Sequence, residues 1–472
     1  MGRPRGRAAA RSARAAQHQP VGPQPDRPEE RPPVTPGLAA RKAAAKLLAA
    51  VVDARTPLDG LTDHDHGHPQ FRALEPRDRA LVRAILTTAL RFRRTIQALI
   101  DARLQRPLPA NAHALSHILH VAAAQILFLD VPDSAAVDLA VTQAKSDPRT
   151  LRFSALVNGV LREVARRKER ALPAALARTG DAPDWFAQRL RAAYGEDRAA
   201  GILAAHRLEP PLDLTVKSDP QGWAARLGGV VLPTGGVRLA RLEGPLTALP
   251  GFAEGEWWVQ DAAASLPARL FGDVSGLRVV DLCAAPGGKT AQLAHAGAAV
   301  TALELSPNRA KRLAANLERL DLKAEIVQGD LFDYRPEAPF DAVLLDAPCS
   351  STGTVRRHPD VPWTKGPQDV DKLAALQARM LAHAAMLARP GGLIVFSNCS
   401  LDPAEGEDLV RDFLAAAPQV KAEPVRPGEF PFCDPLLTAD GALRTTPAGL
   451  KLETPALSGL DGFFAARLRR LS

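Results

Sequence analysis

Cysteine is scarce in this sequence: 472 residues contain four cysteines, and no two of them form a C-x-x-C pair. So few cysteines do not form a disulfide framework, which indicates a reducing compartment, and a structural zinc site is not expected. No apolar run approaches the roughly 20 residues of a membrane-spanning helix, and no signal-peptide block follows the start. We therefore expect a cytoplasmic protein that contacts no membrane.

The charge balance is basic, with 60 Lys and Arg against 52 Asp and Glu, a formal net charge of +8. Such an excess is consistent with a phosphate-bearing partner. The chain is long enough to bury two or three cores, so we expect two or three domains.

Residues 1–37 are rich in Arg and Pro and lack hydrophobic periodicity, which predicts a disordered, basic tail. An organelle transit peptide would need an amphipathic helix, and the prolines from Pro20 onward would break it. The tail interpretation is therefore preferred.

From Leu38 onward, apolar residues recur at helical spacing in segments such as LAARKAAAKLLAAVVDA and RFSALVNGVLREVARR. This pattern predicts an all-α domain over residues 38–170. Its many arginines form either a solvated helix face or a surface for an RNA backbone, and both interpretations stay open. These arginines are Arg91, Arg93, Arg94, Arg162, Arg166 and Arg167.

The segment DHDHGHP places His64, His66 and His68 between two predicted helices. Alternating His and Asp can suggest a metal site, but turn-forming Asp, Gly and Pro surround these histidines. We interpret the segment as a polar loop and expect no bound metal.

Residues 171–265 mix one helical stretch with short strand-like runs, which predicts a small α/β lead-in subdomain. Residues 266–472 alternate strand-like runs, from LRVVDLCAA to GGLIVFSNC, with helical stretches. This alternation predicts an α/β fold with a doubly wound parallel sheet and a ligand at the carboxyl ends of its strands. The closing DGFFAARLRRL predicts a final edge strand.

The segment DLCAAPGGKT joins the first strand of this sheet to its first helix. Its small residues let the backbone approach a ligand, and the helix N-terminus offers free N–H groups. A P-loop would need glycine at position 283, and the G-x-G-x-x-G pattern is absent. We predict an adenosine-type site formed by Cys283, Ala284, Ala285, Pro286, Gly287, Gly288 and Lys289.

Acidic residues end further strands of the same sheet. Glu304 stands where a carboxylate would accept hydrogen bonds from a ribose diol, and Asp330 where one would meet an adenine edge. Acids at strand ends also cap helices, but together these two, with Asp346 at the border of the site, predict a pocket for S-adenosylmethionine.

Two of the four cysteines follow strands of this sheet, Cys349 in DAPCSSTGT and Cys399 in SNCSLDP. Either could act as a nucleophile, and the residues alone do not separate them. Asp346 heads the first of these segments.

DLCAAPGGKT, DAPCSSTG and SNCSLDPAEGE occur in this order, together with GTVRRHPDVPW and the closing DGFF. These motifs resemble the Sun/Fmu family of RNA (cytosine-C5)-methyltransferases. The helical region ending LVNGVLRE resembles the NusB-like RNA-binding domain of its bacterial small-subunit rRNA members. The resemblance covers nearly everything from residue 38 onward. It implies a Rossmann-like, S-adenosylmethionine-dependent methyltransferase domain over 266–472, with a mixed seven-stranded sheet, preceded by an all-α NusB-like domain.

The reaction explains why the family needs a cysteine. C5 of cytosine is a poor nucleophile until a thiolate adds to C6, and a carboxyl group near N3 helps as charge builds there. The resemblance implies that Cys399 is the nucleophile and that Cys349 takes part in product release. Asp346, at the head of DAPCSS, is well placed to assist at N3. Enzymes that act on DNA use the cysteine of their Pro-Cys motif, which would favour Cys349 instead. The target base must be unstacked, which favours a loop or an opened RNA site.

The chain departs from the family at Asn398, where Thr is usual, which loosens the fit but should preserve catalysis. We expect Glu405 and Glu407 to cap the following helix. Lys289 is expected to steady the loop or Asp346. Arg356, Arg357 and His358 either line an RNA entrance or form structural salt bridges. Cys283 is expected to pack beneath the cofactor loop, and Cys433 to be structural.

The resemblance implies a monomeric RNA methyltransferase acting on small-subunit (16S) rRNA. The same chemistry on tRNA, an amino-group methyltransferase, and a catalytically idle assembly factor that binds RNA are the alternatives.

Overall fold

The computed structural model describes residues 1–2, 35–242 and 244–472 of the chain. It comprises two compact units, Met1–Pro36 and Gly37–Ser472. The predicted basic tail, residues 1–37, therefore lies almost entirely outside the described residues. The boundaries predicted for the other domains stay predictions.

The second unit begins with a helical region, as the apolar spacing predicts. Its core is formed mostly by alanine, leucine, isoleucine and valine side chains between Ala40 and Val164. Helix α6 is buried on nearly every side, as a helix that is apolar all round should be. The helices are α1 (Leu38–Val52), α2 (Leu58–Leu61), α3 (Pro69–Arg72), α4 (Pro76–Arg91), α5 (Arg93–Asp101), α6 (His113–Phe128), α7 (Asp133–Lys145), α8 (Ser154–Arg178) and α9 (Asp184–His206).

A small antiparallel sheet follows, with strand order β2-β3-β1-β4. Beneath it Arg238 and Asp213 form a fully buried ion pair at 2.6 Å. Arg238 also donates to the carbonyl groups of Leu457 and Gly459, which ties this sheet to the C-terminal segment. Its elements are β1 (Leu212–Val216), α10 (Pro220–Leu227), β2 (Val230–Val231), β3 (Val237–Leu239) and β4 (Trp257–Val259).

The large sheet has the order β10-β12-β9-β8-β5-β6-β7, with β11 paired to β12. Five neighbouring strands of this order, β9, β8, β5, β6 and β7, are parallel to one another. Parallel strands are typical of sheets that helices cover on both faces. The strands are β5 (Arg278–Leu282), β6 (Ala299–Glu304), β7 (Glu325–Gln328), β8 (Phe340–Asp346), β9 (Ala388–Asn398), β10 (Val420–Ala422), β11 (Leu443–Thr445) and β12 (Phe463–Arg470). The helices are α11 (Leu266–Arg269), α12 (Gly288–His295), α13 (Pro307–Arg319), α14 (Val361–Thr364), α15 (Pro367–Leu387) and α16 (Glu407–Ala416).

The prediction that the closing strand lies at the edge is wrong. One side of β12 pairs antiparallel with β9, and its other side is taken by β10 and β11. Its first residues are apolar and buried, which fits an inner strand. The short β11 adds one strand to the seven-stranded path that was expected.

Two arginines of the helical region, Arg91 and Arg93, point inward, so neither interpretation offered for them holds, whereas the Arg94 side chain is partly exposed and its interpretation stays open. Arg91, Arg93 and Arg94 each contact a residue much further along the chain. Their partners, in order, are the Arg356 carbonyl group, the Trp363 ring and the Asp184 carboxylate. They join the helical region to the segments that follow it.

The remaining arginines, Arg162, Arg166 and Arg167, are exposed on α8. Arg166 and Arg167 share the carboxylate of Glu163, at 2.6 and 3.0 Å. The choice between a solvated face and an RNA-binding face stays open for these three.

The DHDHGHP segment forms a polar loop between α2 and α3. The Asp63 carboxylate accepts N–H groups from Asp65 and His66 and forms a 2.6 Å ion pair with Arg312 of α13. Among the described residues no group of three His, Cys, Asp or Glu side chains could hold a metal ion. In the same part of the chain, no helix has the length and apolar character needed to cross a bilayer.

Candidate active site

The strand order of the large sheet brings the unusual segments together. Strands β8 and β9 are neighbours, and β5 lies on the other side of β8. In the parallel register Asp346 pairs with Ser397, so the segments that carry Cys349 and Cys399 leave the sheet side by side. The DLCAAPGGKT loop leaves β5 at the same edge.

The two cysteines of these segments are in contact. Their sulfur atoms lie 3.4 Å apart, and both residues are half-buried. Two thiols held side by side at the ligand edge of the sheet can act on the same bound molecule.

The pKa values of the two thiols are shifted in opposite directions. The contact with the Cys349 thiol, the Ser351 hydroxyl and the Lys289 cation lower the pKa of Cys399 despite burial. The same contact and burial raise the pKa of Cys349 well above that of a free thiol. Of the two thiols, Cys399 is therefore favoured for the thiolate, and a thiolate there would accept the S–H group of Cys349.

Asp346 is held by two donors at the end of β8. Lys289 Nζ donates to its Oδ2 atom at 2.7 Å, and Ser397 Oγ donates to its Oδ1 atom at 2.9 Å. Each oxygen keeps a lone pair for a further donor. Lys289 is itself buried and lies 5.0 Å from the centre of the Phe463 ring.

The DLCAAPGGKT loop is shaped by two residues with positive φ, Cys283 at 64° and Gly287 at 105°. A Cβ atom at position 287 would overlap the Leu313 side chain, so the close packing of loop and helix requires glycine there. The Ala284 N–H group donates to the Leu303 carbonyl group at 3.0 Å, which fixes the loop to β6.

A cavity of about 520 Å³ lies against this loop. Its lining includes residues 283–289, Asp281 and Asp346 together with Trp258 and Gln260. Its volume falls in the range of small-molecule and cofactor sites.

Asp281 has an unsatisfied oxygen at this cavity. Its Oδ2 atom accepts the Thr290 hydroxyl at 2.6 Å, whereas its buried Oδ1 atom has no partner among the described residues. Burial raises the pKa of Asp281 to about 7. A ligand with an ammonium or hydroxyl group would satisfy this oxygen and stabilise the ionised form.

Glu304 and Asp330 do not line this cavity. The buried Glu304 carboxylate accepts the N–H groups of Ala285, at 3.3 Å, and Ser306, at 2.9 Å, and so supports the loop from behind. Asp330 is exposed and accepts the Phe332 N–H group at 2.9 Å. Their predicted roles toward ribose and adenine stay predictions.

The other two thiols are unsuited to nucleophilic chemistry. Burial raises the pKa of Cys283 to about 12, and Cys283 lines the cavity. Cys433 is buried in an apolar core, and burial raises its pKa to about 12 as well. Both thiols therefore stay protonated near neutral pH.

The prediction that Glu405 caps the next helix is wrong. Its side chain is fully buried and bonds to Ser350 and Gln377. Glu407 does lie in the first turn of α16, but its carboxylate pairs with Arg444 at 2.5 Å. The sequence carried no signal for the Glu405 contacts, because they join residues far apart in the chain.

Asn398 is buried directly before the nucleophile candidate. Its amide group donates to Gln377 Oε1 at 3.0 Å and to the Glu405 carbonyl group at 2.6 Å. Its Oδ1 atom accepts the Ser400 N–H group at 3.0 Å. Asn398 therefore fixes the main chain on both sides of Cys399.

The RNA-entrance interpretation is wrong for Arg356 and Arg357, because both side chains are used internally. Arg356 is 1% exposed and donates to the carbonyl groups of Ser458 and Leu460. Arg357 forms ion pairs with two buried carboxylates, those of Asp261 and Asp461, at 2.7 and 3.0 Å. His358, the third residue of this group, lies 3.3 Å from the Asp59 carboxylate of α2.

Gly353 and Gly462 bring two main chains into contact behind the cysteines. The Gly462 N–H group donates to the Gly353 carbonyl group at 2.8 Å, and the Gly353 N–H group donates to the Cys399 carbonyl group at 2.9 Å. A Cβ atom on Gly353 would overlap the main chain of Gly462. The DGFF and STG motifs thus meet at the support of Cys399.

We expect Gly353→Ala to lower the free energy of unfolding by about 1–3 kcal/mol through overpacking. Gly353→Ala should also slow any chemistry of Cys399, because the Cys399 carbonyl group accepts the N–H group of residue 353 and must move with it. Thermal unfolding measures the first effect. Gly159→Ala is the control, because Gly159 lies in α8 with open space around it and alanine should be neutral or stabilising there. Equal melting temperatures for Gly353→Ala and the unmodified protein would contradict the expectation.

Two family models match the chain. The model described as 16S rRNA methyltransferase RsmB/F matches residues 273–469, and the model of the NusB family matches residues 38–166. Among the curated relatives, ribosomal RNA small subunit methyltransferase B of Salmonella paratyphi B is 33% identical over 413 residues, covering 82% of this chain and 94% of the relative. The protein of the same name from Klebsiella pneumoniae is 34% identical, covering 82% and 93%.

Solved structures give the same architecture. The crystal structure of PH0851 superposes with a TM-score of 0.67 at 22% identity, covering 92% of this chain and 99% of that one. A methyltransferase homolog from Pyrococcus horikoshii gives a TM-score of 0.50 at 28% identity, covering 61% and 94%. These comparisons confirm the predicted fold, a Rossmann-like methyltransferase sheet preceded by a NusB-like helical domain.

Proposed function

The chain belongs to the RsmB/F family of 16S rRNA methyltransferases, and on this premise we propose that it is an S-adenosylmethionine-dependent RNA (cytosine-C5)-methyltransferase. The observation that carries the proposal is the contact between Cys349 and Cys399 beside Asp346. Cytosine-C5 chemistry needs a thiolate for C6 and a carboxyl group near N3, and the two thiols and the Asp346 carboxyl group offer the groups for these roles.

The residues of the site fit S-adenosylmethionine as cofactor. The cavity has the size of a cofactor site, and the unpartnered Asp281 oxygen suits the ammonium group of the methionine moiety. The loop of residues 283–289 and Asp346 border the cavity, and Glu304 supports the loop. We propose that these residues hold the cofactor, with Asp330 further out along the same edge. When bound, S-adenosylmethionine supplies an electrophilic methyl group.

Cys399 starts the reaction on the RNA base. Its thiolate forms a bond to C6 of cytosine, and the electron pair of the C5=C6 double bond moves toward C5 and the N3 side of the ring. C5 thereby becomes nucleophilic enough to be methylated. The lowered pKa of Cys399 supports this assignment, since the Cys349 hydrogen bond stabilises the thiolate.

Asp346 acts on the ring as charge builds there. Its carboxyl group can donate a hydrogen bond or a proton to N3. When Asp346 gives up a proton, the neighbouring Lys289 ammonium group can supply it with another. Ser397 keeps the carboxyl group oriented through its hydroxyl donor.

Release of the methylated base requires the bond between the Cys399 sulfur and C6 to break. The C5 proton passes to a base, the C6–sulfur bond breaks, and the electron pair returns to the Cys399 sulfur while the C5=C6 double bond forms again. Cys349 assists because its S–H group donates to that sulfur as negative charge returns to it.

The names of the curated relatives support small-subunit rRNA as the substrate, and we propose that rRNA rather than tRNA is methylated. The net charge of +8 is consistent with a phosphate-bearing partner. We further propose that the enzyme works in the cytoplasm as a monomer and needs no metal ion.

Bisulfite sequencing of RNA from a deletion strain tests this function. We expect one cytosine of small-subunit rRNA to resist conversion in the parent strain and to be converted in the deletion strain, because 5-methylcytosine reacts poorly with bisulfite. The purified protein with S-adenosylmethionine should restore the resistance. A lost methyl group in tRNA would establish the tRNA alternative, and unchanged rRNA and tRNA would support an idle assembly factor.

A further inference from the structure

Glu405 is a buried carboxylate that pairs with no cation among the residues that the structure describes. Its side chain is fully buried, and within the described part of the chain it accepts hydrogen bonds from neutral groups only. The donors are the Ser350 N–H group at 2.9 Å, the Ser350 hydroxyl at 2.5 Å and the Gln377 amide at 2.8 Å. A buried carboxylate is costly to maintain, so its contacts need an explanation.

Two of the hydrogen bonds to this carboxylate come from the segment that carries Cys349. Ser350 follows Cys349 directly, and Glu405 holds both its N–H group and its hydroxyl. The Ser350 hydroxyl also lies 3.2 Å from the hydroxyl of Ser400, the residue after Cys399. The two cysteine segments are therefore joined through Glu405 and its serine partner.

The third hydrogen bond to this carboxylate leads to the segment that carries Cys399. Gln377 of α15 donates to Glu405 and accepts from Asn398, the residue before Cys399. Asn398 also donates to the Glu405 carbonyl group at 2.6 Å. The side chain and main chain of Glu405 thus fix residues on both sides of the thiol pair.

We propose that Glu405 is a positioning residue that keeps the sulfur atoms of Cys349 and Cys399 in contact, so that both reach the same base. This inference rests on the proposed function for its kinetic consequence, but the geometry itself can be tested without catalysis. A displacement of about 1 Å can reduce catalysis about 100-fold, and the two thiols have to act in sequence on one carbon–sulfur bond.

This positioning role requires the shape and hydrogen-bonding groups of the Glu405 side chain, but not its negative charge. Because Glu405 is fully buried, it does not touch the RNA base. In Glu405→Gln, one amide oxygen can still accept from Ser350 and Gln377, while the amide nitrogen donates to the Ser350 hydroxyl. In Glu405→Ala, both segments lose their common support.

The first readout is the kinetics of methyl transfer to rRNA. We expect Glu405→Ala to lower kcat about 100-fold with KM for RNA unchanged, and Glu405→Gln to stay within about 10-fold of the parent enzyme. A role in stability alone would lower the melting temperature and the active fraction, yet leave kcat per folded molecule unchanged.

The second readout is capture of the thiol pair by phenylarsine oxide. Its arsenic atom bonds two thiol sulfurs with release of one water molecule, which requires the two sulfurs to be adjacent. We expect one adduct per molecule in the parent protein and in Glu405→Gln, and loss of this adduct in Glu405→Ala. Cys399→Ser supplies the background from other thiols.

Gln377→Met keeps the helix and the side-chain volume but removes the link to Asn398, and it decides the matter if Glu405→Ala does not fold. Slower capture and lower kcat in Gln377→Met support the proposal. Unchanged capture and kcat in Glu405→Ala, or in Gln377→Met, overturn it, as does Glu405→Gln behaving like Glu405→Ala. If the parent protein captured arsenic but methylated no RNA, the proposed function would fail while the positioning role stood.

Discussion

Replacement of Cys399 by alanine is expected to abolish methyl transfer to rRNA, with a rate loss of about 10⁴-fold or more, because it removes the thiolate that activates C5. No protein–RNA complex should survive denaturation in this variant. The basis is the asymmetry of the thiol pair, in which the Cys349 hydrogen bond, the Ser351 hydroxyl and the Lys289 cation stabilise the Cys399 thiolate. Filter binding of labelled methyl groups and denaturing gels measure both effects.

Cys433→Ala is the matched control, since it removes a thiol that is buried in an apolar core away from the sheet edge. It should keep the parent kcat even if it lowers stability. Cys399→Ala should still bind rRNA, because the substitution leaves the rest of the site in place. Substantial methylation by Cys399→Ala would reject Cys399 as the nucleophile.

Cys349→Ala is expected to form the bond to C6 and to release the product so slowly that a covalent protein–RNA adduct accumulates. The reason is that the C6–sulfur bond breaks more readily when the departing Cys399 sulfur receives a hydrogen bond, and the S–H group of Cys349 supplies it. Methyl transfer should stop at about one methyl group per enzyme, because the first group is still transferred but the enzyme is not released.

The same variant should shift the pH dependence of adduct formation upward. Loss of the S–H donor removes the main cause of the lowered Cys399 pKa, so a smaller fraction of thiolate is present at neutral pH. Adduct formation by Cys349→Ala should therefore recover as pH rises. The double variant Cys349→Ala with Cys399→Ala should form no adduct, and an adduct in it would show that another residue attacks the base.

The sequence predicted those parts of the molecule that depend on local pattern. Apolar runs and helical spacing placed the strands and helices, and the parallel alternation brought Asp346 and both cysteines to one edge of the large sheet. The strand ends also indicated the DLCAAPGGKT loop, whose backbone lines the cavity. Short-range physical rules were sufficient there.

The sequence did not predict which polar groups meet across long distances in the chain. Glu405 was expected to cap a neighbouring helix, but it bonds to Ser350, 55 residues earlier. Arg357 was considered for RNA, yet Asp261 and Asp461 hold it inside the fold. Local propensity contains no information about such partners, because packing of separate segments creates them.

The contact between the two thiols was predicted in part. Motif order placed Cys349 and Cys399 on neighbouring strand ends, but only the structure gives the 3.4 Å separation of their sulfur atoms and the opposite direction of their pKa shifts. That direction is what distinguishes the two roles.

Mapping the covalent adduct tests the central claim most directly. Cys349→Ala, incubated with rRNA and S-adenosylmethionine, would be digested with protease and nuclease and analysed by tandem mass spectrometry. We predict a methylated cytidine nucleotide attached to the peptide that contains Cys399. An adduct on a different residue, or unmodified Cys399 in a sample that has methylated its RNA, would contradict it.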